Sequence, residues 1–229
     1  MEQTAYLILE NGTVFEGKSF GAAFDVTGEL VFTTAMTGYL ATLTDPSYYG
    51  QIVVQTFPLI GNYGVIPAEF ESQTPRLKAY IVRDWCQEPS NFRCEGNLDT
   101  FLKEKNIPGL YGIDTRALTR IVREYGVMNA RITMEKPDAA ALLPEIKAYK
   151  IKDAVKTVNA VSNFDAYETA EDGARTVVLW DFGAKENIEK CLLNYGCEVI
   201  CVPSFATAEQ ILSYEPEGVM LSNGPGDPA

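Results

Sequence analysis

The residues best suited to chemistry lie in Ser222-Asn223-Gly224-Pro225-Gly226-Asp227-Pro228, which follows the apolar run 218–221. Glycine lets the backbone approach a ligand closely, and proline fixes the shape of the turn between the two glycines. The N–H groups of such a turn can cradle a phosphate or stabilise an oxyanion, and an ordinary turn is the plainer alternative. No Lys-Ser or Lys-Thr follows, as a phosphate-binding P-loop would require, and the dinucleotide pattern G-x-G-x-x-G is not matched. A second loop, Asp181-Phe182-Gly183-Ala184-Lys185, leaves another apolar run at 176–180. Its Asp-Phe-Gly triplet lacks the Gly-rich, His-Arg-Asp and Ala-Pro-Glu segments of a kinase.

A third group of polar residues sits in the first half, in Met36-Thr37-Gly38-Tyr39 and Thr44-Asp45-Pro46-Ser47-Tyr48. Asp45, Pro46 and Ser47 suit a turn closed by local side-chain hydrogen bonds. Alternatively, Ser47 lends a hydroxyl or backbone group to a polar ligand.

Histidine is absent from all 229 residues, so these residues alone cannot assemble a Cys-His or Ser-His hydrolase. Cys86, Cys94, Cys191, Cys197 and Cys201 are odd in number, sit mostly in apolar segments and form no C-x-x-C pair, which reads as reduced core thiols.

The elements that must position these groups change character along the chain. Two alternating runs from Tyr6 to Phe15 flank Asn11-Gly12, which predicts a hairpin with a type I′ turn. Strands are expected over 29–34, 51–57 and 77–85, and helices over 98–106 and 115–125. The second helix carries an apolar stripe of Ala117, Leu118, Ile121, Val122 and Tyr125, with Gly126 as its stop. Its Arg116, Arg120 and Arg123 form either a solvated face or a partner contact. A helical stretch over 137–152 is expected to break at Pro144.

The polar stretch 159–174, with Glu168, Glu171 and Asp172 near Gly173, falls within a linker placed at 151–174. Beyond it come an apolar strand, a helix with Ile188, Cys191, Leu192 and Tyr195 on one face, and a strand over 198–202. Thr207 and Gln210 then form a capping box, and a last strand spans 218–221. Helices alternating with fully apolar strands predict a parallel sheet covered on both faces, with ligands beyond the carboxyl ends of its strands.

The formal charge of −12 argues against a nucleic-acid or anionic-membrane surface, and no run of about 18 apolar residues exists to span a bilayer. A cytoplasmic protein is expected, since the N-terminus also lacks a basic region followed by an apolar core.

Seven linked motifs share an order with one family: Phe32–Tyr39, Leu43–Tyr48, Ile60–Gly64, Ser90–Arg93, Ile113–Arg120, Asp181–Lys185 and Leu221–Pro228. On them the chain resembles, over essentially its whole length, the small glutamine-hydrolysing chain of carbamoyl-phosphate synthetase. The resemblance implies an α/β protein overall. Residues 1–150 would form a mixed, β-rich N-terminal domain, and residues 175–229 the beginning of a parallel three-layer class I glutamine amidotransferase domain.

By the same resemblance, Ser47, Gly224 and Gly226 bind L-glutamine, and the Gly224 N–H is the oxyanion donor. A cysteine, a histidine and a glutamate of the family cleave the amide. The ammonia then reaches a large subunit, which makes carbamoyl phosphate for arginine and pyrimidine synthesis. No cofactor is implied in this chain, and ATP and magnesium are expected on the large subunit. None of the five cysteines here has the family's Gly-x-Cys-x-Gly setting, so no catalytic residue is assigned. The chain is therefore expected to be an N-terminal fragment without glutaminase activity of its own. A non-catalytic module docking the large subunit is the alternative, and a free-standing α/β ligand-binding protein a third.

Overall fold

A computed structural model describes residues 3–159 and 174–226, together with the backbone of 165–167. Glu168, Glu171, Asp172, Gly173 and Asp227, singled out above, lie outside the described residues. The first strands, β1 (Thr4–Leu9) and β2 (Val14–Gly21), form the expected hairpin in the register Ile8↔Val14. The connection is longer than a two-residue type I′ turn. Gly12 N–H donates to Leu9 O and Leu9 N–H to Thr13 O, with Gly12 at φ 88°.

β3 (Val26–Thr33) leads through α1 (Tyr39–Thr44) to β4 (Gln51–Gln55). The single strand expected over 77–85 is divided. The short strand β5 (Leu59–Ile60) pairs with β7 (Asp84–Trp85), while β6 (Ala79–Ile81) pairs with β4. After α2 (Leu98–Glu104), β8 (Pro108–Tyr111) leads to α3 (Thr115–Tyr125) and β9 (Met128–Thr133).

Seven strands close a barrel in the order β1-β2-β8-β6-β4-β3-β9. Period-two alternation explains its filling, because Leu7, Leu9, Leu30, Ile52, Val54, Ile81, Leu110 and Ile132 all point into one cluster. Leu118 and Val122 of α3 join the same cluster, so the helix packs its apolar side into the barrel core. Tyr125, placed on that stripe above, is instead 69% exposed, because it is the helix's last residue and Gly126 at φ 87° turns the chain away. A second cluster, on the opposite face of the strands, holds α1 and α2 through Tyr39, Leu40, Leu43, Leu98 and Phe101.

α4 (Ala139–Ala148) runs through Pro144 without breaking, a departure from the sequence expectation. Asp138 caps its start by accepting from Ala141 N–H, and Ile146 is fully buried, so end-capping and packing hold a helix that proline weakens locally. α5 (Ala154–Val158) and β10 (Asp165–Tyr167) follow, within the stretch read as linker.

β11 (Arg175–Asp181), α6 (Glu186–Asn194), β12 (Cys197–Pro203), α7 (Ala208–Leu212) and β13 (Gly218–Leu221) complete the chain. The sheet order is β10-β12-β11-β13, with β11 parallel to both neighbours and β10 antiparallel on the edge. Val178, Ile200 and Val202 pack with Ile211 of α7, whereas Leu179, Val199 and Cys201 pack with Ile188 and Leu192 of α6. Because alternate residues of a strand face opposite sides, α6 and α7 cover opposite faces. Tyr195, expected on the apolar face of α6, is 87% exposed just beyond the helix end. The Thr207–Gln210 capping box is present in both directions. None of the described helices is long and apolar enough to cross a membrane.

Candidate functional site

β11 is central in its sheet, and the chain moves to β12 on one side and then to β13 on the other. The loops leaving β11 and β13 therefore lie side by side at the carboxyl ends of adjacent strands, where α/β sheets collect ligands. They are packed closely. Phe182 N–H donates to Ser222 Oγ at 2.9 Å, and Ser222 N–H to Trp180 O at 3.1 Å. A Cβ on Gly224 would stand 2.4 Å from Phe182 O, so only glycine fits there. Gly183 has φ 117°, and a Cβ on it would come within 2.7 Å of Val158 Cγ2. The buried Asp181 carboxylate holds this loop by accepting from the Gly183 and Ala184 N–H groups, both at 2.7 Å. Asn159 Nδ2 donates to the Asp181 carbonyl at 2.7 Å.

Ser47 comes to the same place from the barrel. Its N–H donates to Asp45 Oδ1 at 2.9 Å, which is the local turn read from the sequence. Its hydroxyl accepts from Asn223 Nδ2 at 2.7 Å, so the turn reading and a site position coexist. Having accepted that bond, the Ser47 hydroxyl keeps its own proton to donate. Asn223 also accepts from Lys185 N–H at 3.3 Å and donates weakly to Gly183 O at 3.4 Å.

Two further contacts fasten the loops to the barrel, and neither was identified from the sequence. Lys185 Nζ lies 2.8 Å from Asp45 Oδ2, whose side chain is 9% exposed. Burial opposes the charge on Lys185. The hydrogen bond and charge of Asp45, with Glu71 and Tyr48 nearby, nevertheless hold the ammonium above its ordinary value. Burial also raises the neighbouring Tyr48 phenol, with the Asp45 charge adding to it. The second contact is Glu71, which caps α6 from outside the helix. Its carbonyl accepts from Glu186 N–H at 2.9 Å and its carboxylate from Asn187 N–H at 3.2 Å. Lys185, at the N-cap position, makes no side-chain cap, so the orphan N–H groups of the first turn find these acceptors instead. Thr44 Oγ1 at the end of α1 positions Glu71 by accepting its N–H at 2.8 Å.

Of the three candidate residues, Ser47 and the segment bearing Gly224 are thus brought together through Asn223. The Gly224 backbone is exposed, and its N–H has no acceptor among the described residues. Gly226, at φ 107°, instead lines a cleft of about 1220 Å³ together with Phe182, Pro225, Ser204, Tyr149 and Lys156. Among the described residues that cleft includes neither Ser47 nor Gly224. Asp45, Glu71 and Asn223 were missed as positioning groups, although Asp45 and Asn223 stand inside motifs already quoted. The contacts that join the barrel to the second sheet, Asp45 to Lys185, Glu71 to the start of α6 and Asn223 to Ser47, each span more than a hundred residues, beyond the reach of spacing arguments.

Two family models match this chain. The family model described as "Carbamoyl-phosphate synthase small chain, CPSase domain" matches residues 7–132, and "Glutamine amidotransferase class-I" matches residues 178–229. The carbamoyl phosphate synthase small chain of Clostridium perfringens is 47% identical over 98% of this chain and 63% of its own length. That of Bacillus anthracis is 51% identical over 97% of this chain and 60% of its own. That of Thermosynechococcus vestitus is 45% identical over 100% of this chain and 64% of its own. The chain spans somewhat less than two thirds of these relatives. A solved aminopeptidase structure from Aneurinibacillus sp. strain AM-1 overlaps at a TM-score of 0.37 and 12% identity, covering 96% of this chain and 58% of that one, a likeness too slight to speak to the fold. On the two matched models and these identities, the chain belongs to the carbamoyl-phosphate synthase small chain family.

Proposed function

We propose that this chain contributes the glutamine-binding wall of a glutamine-dependent carbamoyl-phosphate synthetase. Residues 1–150 act as the small-chain N-terminal domain, 151–174 as the linker, and 175–229 as the start of a parallel three-layer amidotransferase domain. Ser47 donates its hydroxyl to the bound L-glutamine, and the Gly224 and Gly226 backbones contact it. The Gly224 N–H faces the carbonyl oxygen of the side-chain amide as negative charge develops there. A preorganised donor of that kind lowers the barrier by roughly 3 kcal/mol. Ammonia released from glutamine passes to a large subunit that carries ATP and magnesium and makes carbamoyl phosphate for arginine and pyrimidine synthesis in the cytoplasm.

The observation that carries this reading is the Asn223–Ser47 hydrogen bond, which sets a barrel hydroxyl beside a loop whose exposed Gly224 N–H has no acceptor among the described residues. These 229 residues hold no histidine, and none of their cysteines lies in a Gly-x-Cys-x-Gly turn, so they bind glutamine without cleaving it. Titration of the 229-residue chain with L-glutamine, followed by NMR, tests this. Binding that weakens in Ser47→Ala and Gly224→Ala, with no ammonia released, is expected. Binding indifferent to both substitutions, or steady ammonia release, would count against it.

A further inference from the structure

The solvent face of α3 carries Arg116, Arg120 and Arg123, spaced i, i+4 and i+7, while Leu118 and Val122 face the barrel core. All three arginines are exposed, and with Thr34, Thr56 and Thr119 they line a cleft of about 470 Å³. Thr34 directly follows β3 and Thr56 directly follows β4, the two strands beneath α3. The cleft is therefore assembled by three elements and is not a property of the helix alone.

None of these arginines has a carboxylate partner among the described residues, although the chain holds 31 acidic residues against 19 basic ones. Arg131, by contrast, is paired with both Asp25 and Glu145. Like charges at i, i+4 disfavour a helix, so the triplet works against α3 unless an anion joins it. Apolar groups flank the cleft along the chain: Met36, two residues past Thr34, and Phe57 and Leu59, just past Thr56, are all exposed. Arginine beside methionine and an aromatic ring is the composition of protein interfaces. Threonine hydroxyls among the guanidinium groups suit a carboxylate, which accepts from several donors at once. A free phosphate would leave the apolar flank without a role, and a nucleic acid would meet a chain of net charge −12.

We propose that the Arg116–Arg120–Arg123 cleft docks an acidic segment of the synthetase large subunit, the carboxylates seated among the guanidinium and threonine groups and the apolar flank closing over them. The proposal rests on the small-chain reading above and names the surface through which it acts.

The test is binding of the 229-residue chain to the purified large subunit by surface plasmon resonance, at low and high salt. Wild type is compared with R116Q/R120Q/R123Q, with the triple lysine variant, and with Arg120→Gln alone should the triple variant melt early. Because these arginines hold no carboxylate partner among the described residues and repel one another along α3, the glutamine variant should melt at or slightly above the wild-type temperature. The glutamine variant should bind about 10- to 100-fold more weakly, with a flatter salt dependence, and the lysine variant should regain part of the loss. Equal affinity and equal salt dependence in wild type and the glutamine variant would overturn the cleft and leave the docking reading standing. A wild-type chain that does not bind at all would remove the docking reading and this inference with it.

Discussion

Asn223 and Ser47, 176 positions apart, are joined by a 2.7 Å hydrogen bond from the asparagine amide to the serine hydroxyl. The bond ties the 3-10 turn Pro46–Tyr48 of the barrel half to the loop after β13, and Asn223 passes the constraint on to Lys185 and Gly183. A double-mutant cycle with Ser47→Ala and Asn223→Ala should return a coupling of about 0.5–1.5 kcal/mol in urea unfolding. Strictly additive losses would mean that the two side chains do not hold each other in solution.

Lys185 and Asp45 should respond unequally to substitution. Lys185→Met leaves the Asp45 carboxylate buried with, among the described residues, the Ser47 N–H as its remaining partner, at an expected cost of about 1–2 kcal/mol. Asp45→Asn keeps an oxygen for that N–H and lets the half-exposed lysine turn to water, so its cost should be smaller. Urea midpoints of the two variants give the order. Since the folded state holds Lys185 above its ordinary 10.5, its contribution is full below that pH and is lost only on more alkaline titration.

The two glycines of the terminal turn differ in why they are glycine. Gly224→Ala drives a methyl to within 2.4 Å of Phe182 O and must push the β11 and β13 loops apart. Gly226→Ala meets nothing within 4 Å and bears only the strain of φ 107°, about 1–2 kcal/mol. NMR chemical shifts should therefore spread from Phe182 to Lys185 in the first variant and stay local in the second.

Tyr149 supplies a pH dependence that can be isolated. Its hydroxyl donates to Gly50 O at 2.8 Å, and burial, with Tyr49 and Glu29 nearby, pushes its ionisation up to about 12. The raised value means that the neutral phenol is the form the fold favours. Its stabilisation is complete below its ordinary value of 10.0 and disappears as pH rises through about 12. Tyr149→Phe should cost about 1 kcal/mol at neutral pH and flatten the fall in stability across that alkaline window. Thermal melts of both proteins from neutral to alkaline pH read it directly.

Much of the local structure was legible in the residues. The hairpin, the bounds of α3 and β13, the Thr207–Gln210 capping box and the change to alternating strands and helices after Arg175 all follow from short-range rules. Those rules misplace Tyr125 and Tyr195, where a helical stripe runs on beyond the surface that covers it, and they break a helix at Pro144 that packing and capping sustain. The motifs identified the family and nominated Ser47 and Gly224.

What the sequence by itself determined is which segments are strands, helices and glycine turns, because backbone preference and apolar period act over a few residues. Only the tertiary structure decided that the strands from Thr4 to Thr133 close a barrel, and that β13 returns beside β11 so that the Gly224 loop meets Phe182. It also decided that Asp45, Ser47 and Glu71 reach across to Lys185, Asn223 and the start of α6. Each of those polar contacts joins residues separated by a long stretch of chain. Their geometry is fixed by the packing of two sheets and leaves no periodic trace in the residues between them.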